Sequence, residues 1–345
     1  MRFVEESGSF YDVGSKVGEE CRADVLDLYH KTVEYLAKNT SLSREQSMVD
    51  VAVRHLRTAD ELWIPSVDFL RGLARGAAVS LEKVALTSFA EEISCEKCST
   101  LVMRTQDRRY LLVHNEDYTE FYRGKMVLLD VTFDGFPRLV CLTYPGMLPS
   151  LAGSLTAKRN KFFRIATLNN SFWFDAQPGL PKQVLHFRAS LASDIYEAKD
   201  WLTKTPVSLP THYTVACGRT GQVFSVTVLN QNTSDVGAVI LPIGSQSFCH
   251  TNHLPNKSWK LKKDDPAGGS SHSSVIRYNR LQDLKAHELP QTHEEAFKLF
   301  SEPPLFRNEA GSATLATVVI CPETGDFWLR DADPSAEKKD WHFNL

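Results

Sequence analysis

The hydrophobic period of this chain first changes at Cys98, and that change limits the folds open to it. Before it, Val17, Cys21, Val25, Leu28 and Leu36 recur at three- and four-residue steps, as one helix face requires. Ser43-x-x-Gln46 has the form of a capping box and predicts a second helix running toward His55. Pro65 suits the first turn of a third, with Phe69, Leu70 and Leu73 inward and Gly76 near its end. Ser80 predicts the cap of a fourth, through Val84 and Phe89.

From Cys98 onward the chain reads mostly as strands. Ser99–Arg104 and Tyr110–His114 flank the polar turn Gln106–Arg109, and Met126–Phe133 pairs with Arg138–Tyr144 around Asp134-Gly135. Phe162–Asn169 adds a strand, and helices return at Lys182–Arg188 and Asp194–Leu202. His212–Cys217 and Gln222–Val228 flank Gly218–Gly221 as a hairpin, followed by Ala238–Pro242 and Ser247–His250. Asn256–Ser271 is a polar loop, and helices follow at Ser273–Lys285 and, behind the box Thr292-x-x-Glu295, at Glu294–Ser301. Leu315–Cys321 and Phe327–Asp331 close the chain around Pro322–Gly325. Antiparallel runs with helices grouped between them are an α+β pattern of sheets covered by helices. No repeat, low-complexity tract or linker divides the chain, so residues 1–345 read as a single domain.

Composition removes whole classes of function. Hydrophobic residues at 42% and charged residues at 23% exclude a disordered chain, a collagen and a coiled coil. With 39 basic and 42 acidic side chains the net charge is −3, and the densest basic run, Lys260–Lys263, meets Asp264 and Asp265 at once. That balance holds no polyanion, so nucleic acid is not expected as a partner. No run reaches the roughly 18–20 apolar residues of a membrane helix, and Met1–Glu6 lacks the apolar core of a secretory signal. Seven scattered cysteines then read as reduced thiols in a cytoplasmic compartment. The C-terminus His342–Leu345 differs from the Ser-Lys-Leu address, which leaves peroxisomal import a secondary reading.

Several polar clusters could carry chemistry. Cys98 stands where helix hands over to strand, beside Lys97, whose cation favours a thiolate; a buried core cysteine is the plain alternative. Cys95-x-x-Cys98 with His250-x-x-His253 permits a zinc site to be drawn, although the pairs are 250 − 98 = 152 residues apart. A hairpin folded at Gln106–Arg109 returns His114-Asn115-Glu116-Asp117-Tyr118 toward Cys98; the cluster is otherwise a solvated turn. Asn252, in Cys249–His253, offers an amide donor to an oxyanion, or belongs to a plain loop. Asn169-Asn170 and Arg277 have the same double status.

Together these segments make the sequence resemble the isopenicillin-N (penicillin) acyltransferase-like family of N-terminal-nucleophile hydrolases. The resemblance spans most of the chain. It rests on Gly8–Gly14 with Gly18, on Ile64-Pro65 and Leu70–Gly76, and on Cys98-Ser99-Thr100 with His114–Tyr118. Pro145–Pro149, Leu168–Asn170, His250–His253 and Ser271–Ser274 with Arg277 and Arg280-Leu281 complete it. The chain departs from the family's pattern at Lys97, where Gly precedes the cysteine in the pattern, and at His114, where bile-salt and penicillin V hydrolases place an Arg. Thr156–Asn160 replaces the family's Asn-Ser-Ala-Gly loop.

The resemblance implies a four-layer αββα sandwich of two antiparallel sheets between helical layers, made as a precursor that cuts itself between Lys97 and Cys98. Segments 1–97 and 98–345 then remain partners. It implies Cys98 as nucleophile, with its freed amine as base; Asp117, 117 − 98 = 19 residues on, beside that amine; and Asn252 as oxyanion donor. His114, Asn115, Asn169 and Arg277 are the candidate substrate contacts. The expected activity is a cysteine amidohydrolase or acyltransferase on a small N-acyl compound, with an acyl thioester as a possible donor and with no cofactor or metal. A zinc-stabilised or thiol-redox binding protein using Cys95 and Cys98 stays open as the alternative, as does an uncleaved binding module of the same fold.

Overall fold

The computed structural model of the chain describes residues 1–93, 97–149, 153–157, 164–171, 178–228, 237–240, 247–253, 269–309 and 311–345. Strand β1 (Arg2–Gly8) precedes helices α1 (Phe10–Glu20), α2 (Arg22–Asn39), α3 (Glu45–Leu62), α4 (Ile64–Ala77) and α5 (Leu81–Ser88). Strands β2 (Lys97–Arg104), β3 (Tyr110–Tyr118), β4 (Val127–Phe133), β5 (Arg138–Thr143), β6 (Ser154–Ala157) and β7 (Arg164–Ser171) follow. After α6 (Lys182–Ser190) and α7 (Ile195–Lys204) come β8 (Thr211–Cys217), β9 (Gln222–Val228), β10 (Gly237–Ile240) and β11 (Ser247–His250). The chain ends with α8 (Gly269–Gln282), α9 (His293–Phe300), β12 (Asn308–Glu309), β13 (Ser312–Cys321), β14 (Asp326–Asp331) and β15 (Asp340–Asn344).

The strands form two sheets. The first runs β1-β4-β5-β6-β7-β8-β9-β10 and is antiparallel except where β1 joins β4 in parallel. The second runs β11-β2-β3-β13-β14-β15, with β12 paired to β13. Strand side chains alternate between faces, and here the alternation separates three apolar layers. On β4, Val127, Leu129, Val131 and Phe133 pack under α1–α7, while Leu128 points toward the second sheet. On β2, Val102 meets the first sheet, while Leu101 and Met103 lie under α8 and α9. The order is therefore helices, sheet, sheet, helices, the four-layer sandwich that the resemblance implies and an instance of the α+β pattern read from the sequence. No helix among the described residues is long and apolar enough to cross a membrane.

Three local expectations change. The long first helix is two, α1 and α2, divided at Cys21, and α1 is capped by Ser9, whose hydroxyl accepts from the Asp12 N–H. The second helix begins at Glu45 behind Arg44 with no side-chain cap, so the Ser43 box does not form. β1 is absent from the sequence expectations because only Val4 of its seven residues is buried: an edge strand leaves little hydrophobic pattern to read. By contrast Pro65 does open α4, and Thr292 does cap α9 by accepting from Glu295 N–H at 3.3 Å. Thr156 and Ala157 belong to β6, and Lys158–Asn160 lie outside the described residues.

The crossing of α1 and α4 shows why the early glycines are there. A Cβ on Gly14 would sit 2.1 Å from the Phe69 carbonyl oxygen, and one on Gly72 would sit 2.0 Å from that of Tyr11. Gly18 and Gly76 are equally tight one turn along, against Leu73 and Ser15 carbonyl oxygens. The two backbones approach as closely as they do because all four positions lack side chains. Gly72→Ala should therefore force the helices apart and destabilise the fold by about 1–3 kcal/mol, the usual range for overpacking. Thermal unfolding checks this: an unchanged melting temperature would contradict the crossing.

Candidate active site

The β2–β3 hairpin sets the geometry. Its turn pairs Arg104 with Tyr110, so Cys98 stands opposite Glu116, Thr100 opposite His114, and Lys97 opposite Asp117. Directly paired residues share a face. Cys98, Thr100, His114 and Glu116 accordingly point between the two sheets, with Val102 and Leu112. Ser99, Asn115 and Asp117 point the other way, toward α8 and α9, with Leu101 and Val113.

On the inner face the Cys98 thiol is 1% exposed and donates to Glu116 Oε2 at 3.6 Å. The other carboxylate oxygen of Glu116 accepts from the Tyr144 hydroxyl at 2.7 Å. His114 Nε2 lies 3.3 Å from Glu116 Oε2, and its Nδ1 lies 2.9 Å from the Thr100 hydroxyl. Thr100 in turn donates to Asn170 Oδ1 at 2.8 Å. All of these groups are buried.

The main chain of Cys98 is held separately. Its N–H donates to Asn252 Oδ1 at 2.7 Å, and its carbonyl accepts from Arg277 Nη1 at 2.6 Å. Arg277 also donates to Ser99 Oγ at 2.6 Å and, through Nη2, to Asn252 Oδ1 at 3.0 Å. Asp117 stands 3.7 Å from the guanidinium and accepts from Thr314 Oγ1 at 2.5 Å. Ser274, one turn before Arg277 on α8, accepts from the Asn252 N–H at 2.8 Å, tying the 251–253 segment to the same helix. Burial lowers the Arg277 pKa, opposed first by Asp117, so a carboxylate partner keeps this cation tolerable inside the fold.

The hairpin thus does bring the His114–Tyr118 cluster to Cys98, but it divides the cluster between two faces. The carboxylate beside the sulfur is Glu116, which is not among the candidates the sequence singles out. Asp117 engages Arg277 and Thr314 on the opposite face. His114 is on the thiol's side. Asn115 is not: its amide donates to the Phe300 and Leu305 carbonyls at 2.9 and 3.0 Å and accepts from Thr317 at 2.6 Å. Asn115 is therefore a brace for α9 and β13 rather than a group facing the thiol. Asn169 turns toward α6, 3.0 Å from His186 Nδ1, and its neighbour Asn170 takes the inner position, as alternation along β7 requires. The signal that finds Glu116 is the register: once the turn pairs residues 104 and 110, position 98 must face 116.

Cys95 and the side chain of Lys97 lie outside the described residues. Of the remaining members of the drawn zinc set, His250 stacks on His212 with ring centres 3.8 Å apart, and His253 Nδ1 is 2.9 Å from Ser274 Oγ. Among the described residues, the group whose ligand atoms all lie within 4.8 Å of one another is Cys98, His114 and Glu116.

No protein-family model and no curated protein matches the chain. Solved structures do show likenesses. The N-acylethanolamine-hydrolyzing acid amidase ortholog of Caenorhabditis elegans is 17% identical, with 71% of this chain and 100% of that one covered and a TM-score of 0.45. A mutant conjugated bile acid hydrolase of Clostridium perfringens is 12% identical over 72% of this chain and 92% of that one, with a TM-score of 0.44. Penicillin V acylase of Agrobacterium tumefaciens is 12% identical over 72% and 86%, with a TM-score of 0.43. The chemistry open to Cys98 is set by the side chains around it.

Burial pushes the Asp117 carboxyl up to about 6, against the pull of Arg277 and Thr314. The folded pKa then exceeds the ordinary value of about 3.9, so the native state holds an extra proton between about pH 4 and 6. Stability contributed by this group is present at low pH and is lost as pH rises through that window. Asp117→Asn has no proton to lose. Its stability relative to wild type should improve by up to about 3 kcal/mol from pH 4 to pH 7. Melting curves of the two proteins that stay parallel across this range would contradict the assignment.

Proposed function

We propose that the chain is a self-processing cysteine amidohydrolase or acyltransferase that carries its acyl group on Cys98. The observation that carries this reading is the grip on the main chain of Cys98, through Asn252 on its nitrogen and Arg277 on its carbonyl. Any buried main chain needs hydrogen-bond partners; here they are side chains, so the Cys98 nitrogen keeps a defined place once the Lys97–Cys98 bond is gone.

In the uncut chain that nitrogen is an amide and cannot accept a proton. Glu116 Oε2, in contact with the thiol, is the base for the first step. Sulfur attacks the Lys97 carbonyl carbon as its proton passes to Glu116. The C–N bond breaks, the Cys98 nitrogen takes up the proton, and Lys97 is left as a thioester on sulfur. Water then cleaves the C–S bond and releases the Lys97 carboxylate. The newly formed amine, with a reference pKa near 7.7–8.0, becomes the base for turnover. It takes the thiol proton, the thiolate attacks the N-acyl carbonyl, and the ammonium returns the proton to the departing amine. Water, or an acceptor amine, resolves the thioester. Since Asn252 Oδ1 already accepts from Cys98 and Arg277, the amide N–H₂ is the end of that side chain that serves the oxyanion.

The two segments stay together after the cut. β1 is hydrogen-bonded along β4 from Arg2 to Gly8, and the apolar faces of α1–α5 are buried on the first sheet.

Lys97 precedes the scissile bond, so a contaminating trypsin-like protease would cut at the same place. Variants separate the two causes. Cys98→Ala should remain full length, folded and inactive, whereas Cys95→Ala should cut itself and turn over N-acyl compounds. Glu116→Gln should slow self-cleavage by about 10²–10⁴-fold, as loss of a general base does, and slow turnover of the matured enzyme less. Cleavage of Cys98→Ala at the same bond would contradict self-processing. Equal cleavage rates in wild type and Glu116→Gln would remove Glu116 as the base.

A further inference from the structure

The contacts proposed for acyl transfer on the inner face also have the spacing of a metal site. Cys98 Sγ to Glu116 Oε2 is 3.6 Å, and His114 Nε2 to the same oxygen is 3.3 Å. A tetrahedral zinc ion, bound at about 2.3 Å to sulfur and 2.0–2.2 Å to nitrogen and oxygen, sets neighbouring ligand atoms roughly 3.4–3.6 Å apart. Both spacings lie close to the edges of such a tetrahedron, and all three ligand atoms lie within 4.8 Å of one another.

The surrounding groups orient each ligand. The Thr100 hydroxyl donates to the Asn170 oxygen and lies 2.9 Å from His114 Nδ1, which holds the imidazole ring in place. Nε2, at the other end of the ring, stands 3.3 Å from Glu116 Oε2. Tyr144 holds Glu116 Oε1, which leaves Oε2 directed at both sulfur and Nε2. Metal-ligating His and carboxylate side chains are usually held by such outer hydrogen bonds, here from Thr100 and Tyr144.

We propose that Cys98 Sγ, His114 Nε2 and Glu116 Oε2 form a three-ligand site for a thiophilic divalent cation of the zinc class, and that its occupation silences the thiol. The thiolate selects zinc or cadmium over magnesium and calcium. Binding releases the Cys98 thiol proton to solvent and involves no change of oxidation state. The ion is a reversible block on the nucleophile, not a cofactor of acyl transfer. Chelation itself does not depend on the hydrolase reading; the silencing of turnover does.

The test titrates cadmium chloride into the reduced, chelator-stripped full-length protein and follows the ultraviolet thiolate-to-cadmium charge-transfer band. A band that saturates at one ion per chain is expected, and it should be lost in Cys98→Ser. It should require at least about tenfold more cadmium in Glu116→Gln and in His114→Gln, and Thr100→Val should weaken binding about 10–100-fold through the ring orientation alone. A band unchanged in Cys98→Ser, or at wild-type affinity in both ligand variants, overturns the site. Should those variants misfold, zinc protection of wild-type Cys98 from alkylation, located by peptide mass, decides: no protection overturns it. Zinc should also abolish wild-type amidase turnover, with recovery on adding chelator. Binding at Cys98 with undiminished turnover overturns the silencing, whereas turnover absent without metal counts against the hydrolase reading and not against the site.

Discussion

The structure around Cys98 depends on one buried cation. Arg277 is fully buried, and desolvating a guanidinium costs several kcal/mol unless its donors are engaged. Here they reach the Cys98 carbonyl, Ser99, Asn252 and, at longer range, Asp117. Those partners come from β2, β3 and the segment after β11, so α8, β2 and β3 are fixed relative to one another at the residue that carries the sulfur. Because the contact is to main chain and to the outer face, it leaves the thiol to a different set of groups.

That division of labour follows from strand geometry. A strand's side chains stand alternately above and below the sheet while its N–H and C=O lie in the sheet plane, and β2 has a polar cluster on each face. The outer cluster positions; it is built from charges and amides whose partners are nearly all supplied internally. The inner cluster surrounds the thiol, with Glu116 Oε2 3.6 Å from sulfur. The proposed proton transfer and the proposed soft-metal site draw on the same contacts among thiol, imidazole and carboxylate.

Much of this is legible in the sequence. The change of period at Cys98, the turn at Gln106–Arg109 and the return of His114–Tyr118 give the hairpin and hence the neighbourhood of the thiol. Sidedness is what the cluster alone does not show. Treated as a point, it brings the whole cluster to Cys98, whereas alternation puts Glu116 and His114 on the thiol's face and sends Asn115 and Asp117 toward α8 and α9. Asn169 and Asn170 exchange roles for the same reason. Partners such as Tyr144 and Thr314 come from strands or turns distant in sequence, and no local pattern announces them. The split at Cys21 and the edge strand β1 are hidden because tertiary packing, not local periodicity, decides them.

The central claim is that the Cys98 sulfur carries the acyl group. The most direct measurement is intact mass of the 98–345 segment, quenched in acid during turnover of an N-acyl substrate. The account predicts a population heavier by one acyl group, confined to Cys98 and removed by hydroxylamine, as a thioester is and an amide is not. Turnover with no acylated segment, or with the acyl group on another residue, would contradict it.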